Sequence, residues 1–209
     1  MRLEAMAITM PEVADHPNRI PFDGVLTLVD EASTRPPSGA RGHRVILTRD
    51  AAKAALPSLL GMAVDFAPKW DGHDARMKCG IITEADVIGN QLRVSGYLFG
   101  RDFPEVIQQI ERSSSGTIGD AMGMSYELAD AHVTDMRADV WTLTRATFTG
   151  AAILLREKAA YRNTSFRLSA SRCRSARSTQ SLASGKLAAG SAWRFDNKHF
   201  GQKQRRKEA

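Results

Sequence analysis

Ser125 and His73 are the residues of this chain whose types and surroundings suit nucleophilic chemistry. Ser125 lies in GMSYE, Gly123 to Glu127, and His73 in WDGHD, Trp70 to Asp74. A serine hydroxyl is a weak nucleophile at neutral pH. It needs a base within hydrogen-bond reach, most often a histidine, and donors for the oxyanion that forms. His73 follows Gly72 in a turn and projects freely. Ser125 follows Gly123 in a stretch, GDAMGMSYELAD, that otherwise reads as a strand. Glycine weakens a strand interior, so either a substrate backbone comes close there or Gly119 and Gly123 mark a bulge or a strand end. A third spot is TFTGAAIL, Thr147 to Leu154, where Gly150 lets the chain turn its N–H donors inward. Thr149, Gly150 and Ala151 are the oxyanion candidates. The plainer alternatives are a loop histidine bonded locally and a small strand residue under a helix.

Other reactive types lead nowhere comparable. Cys79 and Cys173 are too few for a disulfide framework and fit a reducing compartment. Cys79, in KCGII, reads as a small buried hydrophobe. The five histidines show no metal-ligand spacing, and Asp71, Asp74, Glu84 and Asp86 match no calcium loop. No metal and no cofactor are expected. Trp70 and Trp141 read as packing residues.

The elements that must position Ser125 and His73 follow from pattern. Residues 1–19 read as a loose lead-in, and VLTLV (Val25 to Val29) and HRVILT as strands. Thr48-Arg49-Asp50 opens a helix, with Asp50 as its cap and Pro57 as its breaker. FAPKWDGHDARM is a polar segment. KCGIITEADVIGNQLRVSGYLF gives two strands joined through Gly89-Asn90. Asp102 and Pro104 start a helix that buries Val106, Ile107 and Ile110. MGMSYELA and ADVWTLTRATF are two strands linked by DAHVTDMR, and GAAILLREKAAY ends the body as a helix or irregular segment. Short strands with a few helices in no βαβ rhythm predict an α+β domain built on an antiparallel sheet or barrel.

The ordered set Gly-His-Asp, Gly-Ile-Ile-Thr-Glu-Ala, a hairpin, Asp-Phe-Pro with a helix, Gly-Met-Ser-Tyr-Glu, Phe-Thr-Gly-Ala-Ala-Ile-Leu and Lys-Ala-Ala-Tyr resembles the tailed-phage prohead proteases, herpesvirus-assemblin-like serine peptidases. The resemblance covers residues 20–161. It implies a mostly antiparallel closed β-barrel with flanking helices, a nucleophile at Ser125 and a base at His73. It also implies cleavage of phage major capsid or scaffold protein during head maturation, in proheads assembling in the host bacterial cytoplasm, with self-association a further expectation. In that family a third residue, a histidine or an acid, orients the base. His132 is seven residues beyond Ser125, and at ~3.3 Å per residue an extended strand carries it ~23 Å away. Asp74, beside His73, and Asp139 are the other possibilities. The reading is a Ser–His dyad helped by a group that the residues leave unidentified. A catalytically inactive head-assembly or scaffold module is the alternative.

Composition sets the rest. With 43% hydrophobic and 25% charged residues the chain is ordinary for a globular protein. No apolar run reaches the ~18 residues of a membrane span, and the N-terminus lacks the apolar core of a signal peptide. The net charge of +6 is divided unevenly. Residues 162–209 carry 12 Lys+Arg against 2 Asp+Glu, and residues 1–161 carry 17 against 21. This suggests a boundary at Tyr161 and a basic, low-complexity tail that is disordered by composition. Such a tail suits contact with a polyanion, and a nucleic-acid-binding protein acting through it is a further alternative.

Overall fold

Alternation of apolar residues decides most of the strands. In Gln91–Leu98 the buried residues are Leu92, Val94, Gly96 and Leu98, every second position, as a pleated strand with one face on a core requires. The computed structural model describes residues 5–11, 13, 15–115 and 121–169. Gly119 and the expected disordered tail beyond Ser169 lie outside the described residues. The elements are β1 (Ala5–Ala7), β2 (Ile20–Leu28), β3 (Arg44–Leu47), α1 (Arg49–Ala55), β4 (Ala63–Phe66), β5 (Lys78–Ile88), β6 (Gln91–Leu98), α2 (Pro104–Ser115), β7 (Met122–Val133), β8 (Val140–Leu155) and β9 (Ser165–Leu168).

The nine strands of the described residues join one mixed sheet. Its hydrogen-bonded path runs β3–β8–β4–β5–β6–β2–β9, with β1 added to β5 and β7 to β8. β3 and β4 run parallel to β8, and the other pairs are antiparallel. The sheet is not closed, which corrects the closed, mostly antiparallel barrel expected from the sequence. β7 does pack beside β2 and β9, but among the described residues no ladder joins β7 to β9. The physical reason is that closure depends on the stagger between first and last strands. Here β9 is four residues long and pairs with β2 along one edge, from Phe22↔Leu168 to Val25↔Ser165, and no ladder uses its short second edge among the described residues.

Among the described residues there are two α-helices, both short. Thr48 caps α1 by accepting the Ala51 N–H, so the cap is two residues earlier than Asp50. Pro57 follows in a 3-10 turn, Leu56–Leu59. α2 starts at Pro104 and buries Val106 and Ile110 completely. Asp102 accepts from the Asn18 amide at 2.8 Å. The hairpin at Gly89-Asn90 is as expected, with Gly89 at φ +58.

Three expectations about elements need correction. GAAILL is strand, the second half of β8, and not a helix or irregular segment. Ala151 to Leu154 are buried on both faces, Ala151 and Ile153 in the main core and Ala152 and Leu154 against Ala159. A continuous apolar run of this kind cannot be told from a buried helix by periodicity. The sheet also runs past Tyr161: Ser165–Leu168 pair with β2, and Phe166 stacks on Phe22 with ring centroids 4.7 Å apart. At the other end, β1 lies inside the segment read as a lead-in and pairs with β5 through Ala5↔Asp86 and Ala7↔Glu84.

Candidate active site

The site begins with a carboxylate inside an apolar strand. In Ala63-Val64-Asp65-Phe66 the alternation sends Val64 and Phe66 into the core and Asp65 to the opposite face. That face is covered, and Asp65 is only 1% exposed. A buried charge needs partners. Lys78 Nζ lies 2.7 Å from Asp65 Oδ2, and His73 Nδ1 lies 3.3 Å from Asp65 Oδ1. Burial pushes the Asp65 carboxyl up, but the His73 and Lys78 contacts outweigh it and hold the group below the usual carboxylate range. The His73 contact is an ion-pair distance rather than an aligned hydrogen bond. Asp65 Oδ1 and both His73 ring nitrogens are buried without a hydrogen-bond partner among the described residues.

The loop between β4 and β5 brings His73 back over its own strand. Asp74 closes it by accepting from Arg76 N and Arg76 Nε, each at 3.0 Å, while the Met77 N–H returns to Asp74 O. Trp70 fixes the other side. Its ring stacks on Phe66 at 4.9 Å, and its carbonyl accepts the Leu155 N–H at 2.9 Å. Trp70 has φ +56, a left-handed conformation that an L-residue holds only when its surroundings enforce it. The stack and the bond to β8 are that enforcement. Asp74 is thus committed to Arg76, which keeps its carboxyl below the ordinary range. It shapes the loop that carries His73.

Ser125 stands on the same face as Asp65. In β7 and β8, Ser125 pairs with Ala152, and in β8 and β4, Ala152 pairs with Asp65. Directly paired residues point their side chains to one side of a sheet. Asp65, Ala152 and Ser125 therefore form one row across three strands. Met122 and Met124, alternating with Ser125, are in the core, which agrees with that orientation. Two strand spacings put the ends of the row ~10 Å apart at the backbone. An imidazole bridging an acid and a hydroxyl spans roughly 8 Å between their oxygens, two hydrogen bonds plus the ring. His73 does not make that bridge here: neither ring nitrogen has a hydrogen-bond partner among the described residues, and Ala152 at the middle of the row packs against Ala159.

Gly123 answers to the protein's own chain. A Cβ there would sit 2.7 Å from Thr164 Oγ1 and 3.1 Å from Arg156 Cα. The glycine lets the segment after β8 close over β7 next to Ser125. Arg156 arrives with that segment, and its Nε is buried without a partner among the described residues. Gly150 plays a similar part. A Cβ there would meet the Glu127 carboxylate at 2.5 Å, so Glu127 lies across it. The chain does not turn at Gly150. Thr149, Gly150 and Ala151 continue β8, with Gly150 opposite Glu127 and Ala151 between Tyr126 and Val64. Their peptide groups lie in the plane of the sheet, as ladder groups do.

The remaining candidates are elsewhere. His132, near the far end of β7 opposite Arg145, contacts Thr144 Oγ1 at 3.0 Å and is exposed. Asp139 is exposed just before β8, whose first residue Val140 pairs with Arg44 of β3. Cys79 is buried, donates to Val64 O, and has its thiol pushed up to about 12 by burial, so it is not a nucleophile in waiting. Among the described residues no cluster of His, Cys, Asp and Glu is arranged to hold a metal ion. Asp65 and Lys78 are the residues that sequence reasoning missed. The signal was present: an acid inside Met-Ala-Val-Asp-Phe is an unusual polar interruption, and a buried polar residue is the informative kind.

No protein-family model matches the chain, and no curated protein matches it in sequence. Among the described residues no helix is long and apolar enough to cross a membrane.

Proposed function

We propose that this chain is a serine endopeptidase with Ser125 as nucleophile, His73 as general base and Asp65 as the residue that orients the base. The observation that carries the reading is the row Asp65–Ala152–Ser125, with His73 seated on the Asp65 end of it. Ser125 Oγ attacks a peptide carbonyl while His73 takes its proton. The tetrahedral intermediate collapses as His73 passes that proton to the leaving amine, and water then repeats the sequence on the acyl-enzyme. Asp65 fixes the ring and stabilises the imidazolium during each transfer. Arg156, whose Cα lies against Gly123 and whose buried Nε has no partner among the described residues, is the candidate donor for a developing oxyanion.

The substrate class comes from the resemblance to tailed-phage prohead proteases: capsid or scaffold protein, cleaved within assembling proheads in the host bacterial cytoplasm. The test is co-expression with a capsid protein carrying its scaffold segment. The native chain cleaves it, and Ser125→Ala does not, with a loss on the order of 10³-fold or more and an unchanged melting temperature. Cleavage that continues in Ser125→Ala removes this serine from the mechanism and leaves the inactive-scaffold reading.

A further inference from the structure

We propose that Lys78 is a positioning residue of this site, holding one oxygen of the Asp65 carboxylate so that His73 meets the other while the lysine's charge offsets part of the carboxylate's pull on the base. The inference rests on the proposed role of His73 and adds what regulates it. Asp65 is a fork: Lys78 Nζ is 2.7 Å from Oδ2 and His73 Nδ1 is 3.3 Å from Oδ1. A carboxylate facing His73 alone would act on the imidazolium with its whole charge. A cation on the second oxygen opposes that without removing the acceptor that orients the ring. Lys78 is the first residue of β5, whose register with β4 pairs it directly with Asp65. The fork is therefore built by the sheet and not by a flexible side chain searching for a partner.

The other charged groups around His73 do not duplicate this role. On its own loop, Asp74 and Arg76 neutralise one another at 3.0 Å. Asp71 is exposed on that loop. Glu105, at the start of α2, acts on the neighbouring Cys79 together with Asp65 and Lys78. Arg156 follows β8 beside Gly123 on β7. Lys78 is the cation in contact with the Asp65 carboxylate itself.

The test is a nitrogen-detected NMR titration of the His73 ring in the native full-length chain and in Lys78→Met. Two like charges ~6 Å apart at an effective dielectric of ~20 repel by about two pH units, and the exposure of the lysine trims this to about one. In Lys78→Met the His73 midpoint should therefore rise by about one pH unit, and the acid limb of cleavage should move the same way. Lys78→Arg should restore both. An unchanged midpoint in a folded Lys78→Met chain overturns the proposal. If Lys78→Met does not fold, the Lys78 ammonium signal of the native chain serves instead. It should shift with an inflection at the His73 midpoint, and a signal that ignores that midpoint overturns the proposal. The NMR readout needs no catalysis. A chain that titrates as expected but cleaves nothing retains the Lys78–His73 coupling and loses the peptidase reading, whereas cleavage with an unmoved midpoint does the reverse.

Discussion

Asp65 is where the proposed chemistry and stability meet in one side chain. Its folded carboxyl is held below its ordinary range by His73 and Lys78 despite burial. A group depressed in this way contributes stability that is present above the unfolded value, near 4, and is lost as pH falls through the folded value. Asp65→Asn removes that contribution, so its melting temperature should decline less steeply than the native chain's between about pH 5 and pH 2. This is measured by thermal unfolding across that range, and parallel curves would show that Asp65 is not the titrating group. The same variant should cut peptide cleavage by about 10⁴-fold by analogy with other Ser–His–Asp sites. His132→Ala should leave cleavage unchanged, because its ring is bound to Thr144 at the far end of β7. A loss comparable to that of His73→Ala would place His132 in the site. Gly123→Ala forces a Cβ against Thr164 and the Arg156 backbone and should cost about 1–3 kcal/mol in denaturant unfolding.

At the level of elements, the strand that mattered most was the hardest to see. β5 and β6 were legible because their alternation and the Gly89-Asn90 turn agree with one another. β4 is four residues long, with Asp65 as its only polar member, too short to display an alternation of its own. The second half of β8 was illegible for the opposite reason: it is apolar at every position from Ala151 to Leu154, because covering segments bury both faces. The proposed Ser125–His73 pair came from residue type, whereas Asp65 was not picked out, because its link to Ser125 runs through Ala152 on a strand between them. β9 carries a prediction of its own. Phe166 is buried on Phe22, and burying a phenylalanine contributes about 1.5–3 kcal/mol. A chain ending at Ser169 should melt within a few degrees of the full-length protein. A chain ending at Tyr161 should melt far lower or precipitate. Equal melting temperatures would show that β9 adds nothing to the sheet.

For the whole molecule, the charge division has a consequence independent of catalysis. Residues 162–209 carry 12 bases against 2 acids, on a chain whose first 161 residues are slightly acidic. Binding to a polyanion such as heparin or single-stranded DNA should weaken steeply and linearly in log–log form as salt rises, because association releases condensed counterions. Titrations at several salt concentrations check this, and a flat salt dependence would remove the electrostatic reading. Removing residues 170–209 should abolish most of the binding while leaving Ser125-dependent cleavage of a capsid partner in place.

What the sequence determined by itself was local: strand alternation, the Gly89-Asn90 hairpin, the start of α2, the uneven charge, and the two residues suited to be nucleophile and base. Each is a property of a short window of chain, where periodicity and side-chain chemistry act directly. What only the tertiary structure decided was long-range. The sheet stays open because the stagger of β7 against β9 is set by every strand between them. Asp65 stands in line with Ser125 because β8 runs between their strands, parallel to one and antiparallel to the other. Registers of this kind arise from packing across some sixty residues of intervening chain, and no single window of the sequence contains them.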